Sequence, residues 1–377
     1  MSVSVDWDLA RTVAGKVSSR RSFDKAAAAD RHLVPDLERE LFLLTAQAED
    51  LVASETGLIS LHGPARSNVT DRLGWVDANL ASFDRLMRPF LAKLSGDDEP
   101  EARTGRFARL TEPFVGSIGP RFAGMEMGAL LGWMSTRVIG QYDLLVIEDE
   151  RPEDQDWVYY VAPNVLGLER RYGFEPSQFR LWIAIHECTH RAQFTGVPWL
   201  RPYFLSLVDG LIESVDPDPE RVFATIRATI EERKARKSDP NAEGALDGGI
   251  ARLLASPEQK LVLDQVTGLM SLLEGHGDVT MDRAGRDLIP SQPRFARVLG
   301  ERRANATGPA KLVQKLLGFE AKLAQYAEGE SFIAAVETSG GRELFDQVWV
   351  RAENLPTIDE IRNPEVWIGR VTASSRV

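Results

Sequence analysis

Cysteine is almost absent from this sequence: Cys188 is the only one in 377 residues, so no intrachain disulfide can form. A chain without disulfides suits a reducing compartment, and a cytoplasmic location is the expectation. Basic residues are in deficit, with a formal net charge of -11. Binding to phosphate backbones needs a clustered excess of Lys and Arg, so nucleic acid is not an expected partner. A local run, Arg233 to Lys237 (RKARK), follows Glu231 and Glu232 and reads as a solvated helix face or loop. Long apolar runs are missing too. The most membrane-like stretch, FAGMEMGALLGWMSTRVIG at 122–140, carries Glu126 and Arg137 and is short for a span, so no membrane association is expected. Its Gly124, Gly128 and Gly132 recur every fourth residue, which suits a closely packed buried helix. The first residues contain early acids and no uninterrupted apolar core, so a signal peptide is not expected. Internal repeats and low-complexity tracts are also lacking.

What remains is an ordinary globular composition. Hydrophobic residues make up 43% and charged residues 27%, enough to bury a sizeable core along the whole chain. Residues 5–135 read mainly as amphipathic helices, interrupted at HGPARSN (62–68). YDLLVIE (142–148) and WVYYVAP (157–163) are rich in β-branched and aromatic residues and are separated by a polar turn, which predicts a strand pair. Helical periodicity resumes at Pro176, a good first helical residue, and ends at Gly196 and Pro198. A further helix opens with the capping box Ser256-Pro257-Glu258-Gln259, and the segments 309–326 and 329–349 also look helical. The expected fold class is therefore mainly α with a small β-sheet. A helical N-terminal region (1–135) is followed by a region holding the small sheet and a helical C-terminal part (136–377), packed as one unit.

The scarce histidines draw attention to IAIHECTHRAQF (183–194). His186 and His190 are four apart on the predicted helix and project from one face, so both imidazoles reach one ion, while Glu187 addresses its bound water. They continue the apolar stripe of Phe179, Trp182 and Ile183 and should face the interior. The plainer alternative is a pair of core histidines satisfied by hydrogen bonds. Cys188 lies about 200° around the helix from His186, which makes it a small buried filler rather than a nucleophile.

Two protein ligands leave a catalytic zinc one short of its usual three. The segment LLEGHGDVTMD (272–282) offers Glu274, His276, Asp278 and Asp282. Glu274 continues the stripe Leu263, Val266 and Met270, near a helix end suggested by Gly275 and Gly277. A carboxylate buried there is costly unless a cation offsets it, so Glu274 is the preferred third ligand. His276 is the rival, as ligand or as oxyanion stabiliser. If the helix continues through the glycines, Glu274, Asp278 and Asp282 stack at four-residue intervals, and either Asp could orient a ligand histidine. Residues 157–161 are the candidate exposed strand edge for aligning an extended substrate.

HECTHRAQFTGVPWLRPYF (186–204), SLLEGHGDVTMD (271–282) and LAQYAEGESF (323–332) resemble the bacterial zincin-like metallopeptidases often labelled as associated with biosynthesis of a deazaflavin coenzyme. The resemblance runs from about Trp75 to Trp367. It implies a zinc cofactor (Zn2+), with His186 and His190 as ligands and Glu187 as general base. Glu274 followed by Asp278 is similar to the Glu-x-x-x-Asp pairing of other glutamate-zincins, in which the glutamate is the third ligand. The interval from His190 to Glu274, 84 residues (274 − 190), is longer than in thermolysin-like enzymes, so the intervening segment has to return to the site. The same resemblance implies Tyr326 as an oxyanion donor. The expected function is zinc-dependent hydrolysis of a peptide or other amide substrate. The alternatives are a catalytically inactive metal-stabilised scaffold and a metal hydrolase of a small-molecule amide.

Overall fold

A computed structural model describes residues 5–19, 30–95, 119–144, 156–214, 257–304 and 319–374. The basic run at 233–237, the cap residue Ser256 and most of YDLLVIE (145–148) lie outside the described residues. The architecture is mainly α with one small sheet, as the sequence predicts. In chain order the elements are α1 (Trp7–Ser19), α2 (Val34–Thr56), β1 (Arg66–Thr70), α3 (Arg72–Ser95), α4 (Gly119–Ser135), β2 (Gly140–Tyr142), β3 (Trp157–Val161), α5 (Ala162–Tyr172) and α6 (Pro176–Gly196). They are followed by α7 (Leu200–Ser214), α8 (Pro257–Ala284), α9 (Gln292–Ala304), α10 (Phe319–Phe345), α11 (Ile358–Arg362) and α12 (Pro364–Ser374). No helix among the described residues is long and apolar enough to cross a membrane.

Packing divides the chain into two compact units, Met1–Gly196 with Ala284–Gln292, and Val197–Arg283 with Pro293–Val377.

In the first unit, α1 and α4 pack backbone to backbone. A Cβ added at Gly124, Gly128 or Gly132 would stand 2.4, 2.2 or 2.6 Å from the carbonyl oxygens of Asp6, Ala10 and Ala14. The four-residue glycine repeat is thus a groove that admits the neighbouring helix. Beside it Ala10, Ala14, Trp75, Val76, Leu80, Leu131 and Val161 form a buried cluster. Gly128→Ala is expected to cost about 1–3 kcal/mol through overpacking, visible as a lowered melting temperature. Gly167→Ala on α5, where nothing lies within 4 Å of the new methyl, should instead stabilise by up to about 1 kcal/mol. Equal melting temperatures for these two variants would disprove the close helix contact.

The sheet has the order β1-β3-β2, with β1 parallel and β2 antiparallel to β3. β2 pairs with β3, but it shares only Tyr142 with the first predicted strand (142–148), whose residues 145–148 lie outside the described residues, and β1 (Arg66–Thr70) arises within the segment read as interrupted helix. This corrects the expectation for residues 157–161. They form the central strand, with backbone partners on both sides, so the sheet edges are β1 and β2, and 157–161 cannot accept an extended substrate.

In the second unit, α8 runs unbroken from Pro257 to Ala284, so Gly275 and Gly277 do not end the helix. Gly275 is a crossing point instead: a Cβ there would meet Gly329 Cα of α10 at 2.7 Å, and one on Gly329 would meet the Ser271 carbonyl oxygen at 2.1 Å. Glycine in a helix interior costs about 1 kcal/mol in propensity, and here it permits the close approach of two backbones. α10 itself breaks at Gly340 and Gly341, the latter at φ 71°.

Candidate metal centre

Helix α6 carries the motif, and its burial pattern singles out two residues. From Leu181 to Thr195 every position is buried except His186 and His190, which are half-buried. A helix enclosed on nearly all sides is a core element, and the two imidazoles are the places where this one is left partly open. Their Nε2 atoms are 3.2 Å apart and the rings meet edge to face, with centroids 4.6 Å apart. Two imidazole nitrogens bound to one tetrahedral zinc at about 2.0–2.1 Å stand about 3.3–3.4 Å apart. The observed separation is close to that value, so the pair suits a metal on geometry as well as on donor chemistry.

The other nitrogen of His190 is also placed. Nδ1 lies 3.0 Å from Oε1 of Gln193, one turn further along α6 and fully buried. When Nδ1 carries the proton and donates it to this oxygen, Nε2 keeps its lone pair toward His186.

Glu187 is buried, and its Oε2 accepts a 2.9 Å hydrogen bond from the backbone N–H of Tyr142 on β2. Asp143 N donates to Trp157 O and Val161 N to Ile139 O, so by antiparallel alternation the Gly140 and Tyr142 backbone groups face away from β3. One of those outward groups holds the Glu187 carboxylate. Gly140 makes the room for it, because a Cβ there would lie 2.7 Å from Glu187 Oε1 and 2.8 Å from its Cγ.

A buried ionic network lies under this arrangement. Arg191, one turn past Glu187 and 1% exposed, donates to Asp156 (Nη2 to Oδ2, 2.7 Å), to Glu49 (2.5 Å) and to the Gly63 carbonyl (2.8 Å). Asp156 also accepts from the Tyr142 hydroxyl at 3.0 Å and adopts a left-handed φ of 63°, a conformation Asp tolerates better than most residues. Tyr142 therefore ties the strand that holds Glu187 to the charged network. Sequence reasoning passed over Tyr142, Asp156 and Arg191. An Arg beside a metal motif reads as surface, and the only signal against that is its place on the apolar side of a helix with no polar face.

Cys188 is buried, its Sγ 3.6 Å from the Thr45 carbonyl oxygen of α2, and burial pushes its thiol far up from the ordinary range. It faces α2 as a small packing residue, in agreement with the helical-wheel reading. Tyr160, hydrogen-bonded to Thr45 at 2.8 Å, is likewise raised well above its usual value by burial.

In the second unit Glu274 is buried on α8, directly before the Gly275 crossing. It lies about ten residues, or roughly three turns, from the helix C-terminus, so the macrodipole cost expected from a nearby helix end does not apply. The desolvation cost does. His276 points to the opposite side of α8, about 200° from Glu274, where its ring is 5.7 Å from Phe345 and 5.0 Å from Trp349. That packing makes it a core histidine of its unit. Asp278 hydrogen-bonds to Glu330, whose carboxyl is pushed up by burial and by the Asp282 charge. Tyr326 falls on α10, at a position whose side chain is outside the described residues.

The model of the zincin-like metallopeptidase family matches residues 5–368. The chain belongs to this family. The match extends well beyond the motif helix into both compact units. A crystal structure from Chloroflexus aurantiacus, described as that of a candidate hydrolase with a novel fold, is similar to this family member at 30% identity. It covers 98% of this chain and 99% of the other, with a TM-score of 0.66. Among curated proteins none matches the chain.

Proposed function

We propose that the protein is a zinc-dependent hydrolase of peptide or other amide bonds, in which His186, His190 and Glu274 hold the ion and Glu187 is the general base. The observation that carries this reading is the pair of Nε2 atoms facing each other at 3.2 Å, on the two positions between Leu181 and Thr195 that are not buried. Each of the three side chains offers one ligand atom, two imidazole nitrogens and a carboxylate oxygen. That is the donor set of a catalytic zinc with one coordination position left for water or substrate. Family membership and the hydrolase description of the Chloroflexus aurantiacus protein support hydrolysis as the reaction class.

Zinc in such a site supplies Lewis acidity, lowering the pKa of water to about 7 and polarising a carbonyl. The chain's own groups do the rest. Glu187, oriented through its Oε2 by the Tyr142 N–H, takes the proton released in attack on the carbonyl carbon and delivers it to the leaving amine. β2 passes Glu187 as an edge strand, and its outward-facing Tyr142 N–H is the group that orients the carboxylate.

Metal content per chain, measured by elemental mass spectrometry on the wild type and on Glu274→Ala purified identically, tests the ligand set. Near-stoichiometric zinc in the wild type, falling well below one per chain in the variant, is the expected result. A wild type that takes up no zinc would leave a helix with two core histidines. Full occupancy in Glu274→Ala would move the third ligand elsewhere.

A further inference from the structure

We propose that Gln193 is a positioning residue that sets how tightly the ion is held, by fixing the tautomer and plane of the His190 ring. The inference rests on the zinc reading above. Gln193 follows His190 by three residues on α6, is fully buried, and places Oε1 3.0 Å from His190 Nδ1.

A neutral imidazole has one N–H and one lone pair. For Nε2 to ligate, the proton has to sit on Nδ1 and needs an acceptor, which the Gln193 carbonyl oxygen provides. With the amide turned over, its NH2 would donate to Nδ1 and move the ring proton to Nε2. That proton would then point at His186 Nε2, 3.2 Å away, and close the pair to a cation. The orientation of one buried amide thus selects between a ligand pair and a hydrogen-bonded pair.

The chemical type of the acceptor carries a further consequence. A carboxylate behind a ligand histidine raises the basicity of the ring, whereas a neutral amide orients it with less electronic push. Gln193 therefore gives a site that is ordered yet binds its metal less tightly than a carboxylate in the same place would.

The test uses the full-length protein, stripped by a chelator and titrated with zinc against a chromogenic competitor, for the wild type, Gln193→Leu and Gln193→Glu. Melting temperatures are recorded with and without zinc. Losing the acceptor in Gln193→Leu is expected to weaken zinc about 10–100-fold and to shrink the zinc-dependent rise in melting temperature. Gln193→Glu, nearly isosteric and still an acceptor, should hold zinc at least as tightly as the wild type and show a larger rise. Equal affinity in Gln193→Leu and wild type would overturn the proposal. So would a Gln193→Glu protein that loses zinc at least 10-fold, and this arm decides the matter if Gln193→Leu does not fold. A wild type that binds no zinc would overturn the metal reading itself and this inference with it, whereas zinc-binding wild type with unaffected variants would remove only the role of Gln193.

Discussion

Glu187→Gln is expected to keep zinc at the wild-type stoichiometry and to lower turnover about 10²–10⁴-fold, the usual range for losing a general acid–base group. The structure makes this substitution a clean separation of chemistry from architecture. Glu187 Oε2 accepts from the Tyr142 N–H at 2.9 Å, and the carbonyl oxygen of glutamine can accept the same bond. Its volume suits the space left open by Gly140. What glutamine cannot do is take up a proton near neutral pH. The measurement pairs elemental analysis with chelator-sensitive hydrolysis of an amide or peptide library. Undiminished hydrolysis in the variant would take Glu187 out of the mechanism, and chelator-insensitive hydrolysis in the wild type would take zinc out of it.

The second large effect is on stability. Arg191→Met removes the cation that faces Asp156 and Glu49, and leaves Asp156, itself buried, without its guanidinium. Breaking a buried ion pair by deleting one partner costs about 3–5 kcal/mol, because the remaining charge has lost both water and counter-charge. In a unit of this size that is a fall in melting temperature on the order of 10 °C. Arg191→Lys should recover only part of the loss, since an ammonium cannot reproduce the fork that reaches Asp156, Glu49 and the Gly63 carbonyl together. A thermal or denaturant melt of Arg191→Met that overlays the wild type would show the network to be dispensable. The same melt on Glu187→Gln should show little change, so the two variants, four residues apart on one helix, separate catalysis from folding.

Much of α6 was legible before any coordinates. Pro176 and Gly196 bound it as predicted, because start and stop signals are local and act within a turn. The shared face of His186 and His190, and the opposite facing of Cys188 toward Thr45, follow from the 3.6-residue period alone. The glycine groove of α4 was visible for the same reason. Gly275 shows where such reasoning stops. Glycine inside a helical pattern reads equally as a stop or as a packing contact, and only Gly329, far away in sequence, decides for the contact. Strand order failed likewise. Residues 157–161 have the composition of a strand, but whether a strand is an edge depends on its partners, and β1, the parallel partner, lies some ninety residues earlier.

By itself the sequence determined a mainly helical fold with a small sheet, the helix that presents His186, Glu187 and His190, and the zincin-like family resemblance, all of which depend on residues within a few turns of one another. Tertiary structure decided that β2 rather than β3 passes the glutamate, that Tyr142 and Gly140 cradle its carboxylate, and that Arg191 is buried against two acids. Burial and counter-charge belong to pairs of residues that the chain brings together from as far apart as Glu49 and Arg191, and no periodicity within a single segment encodes them.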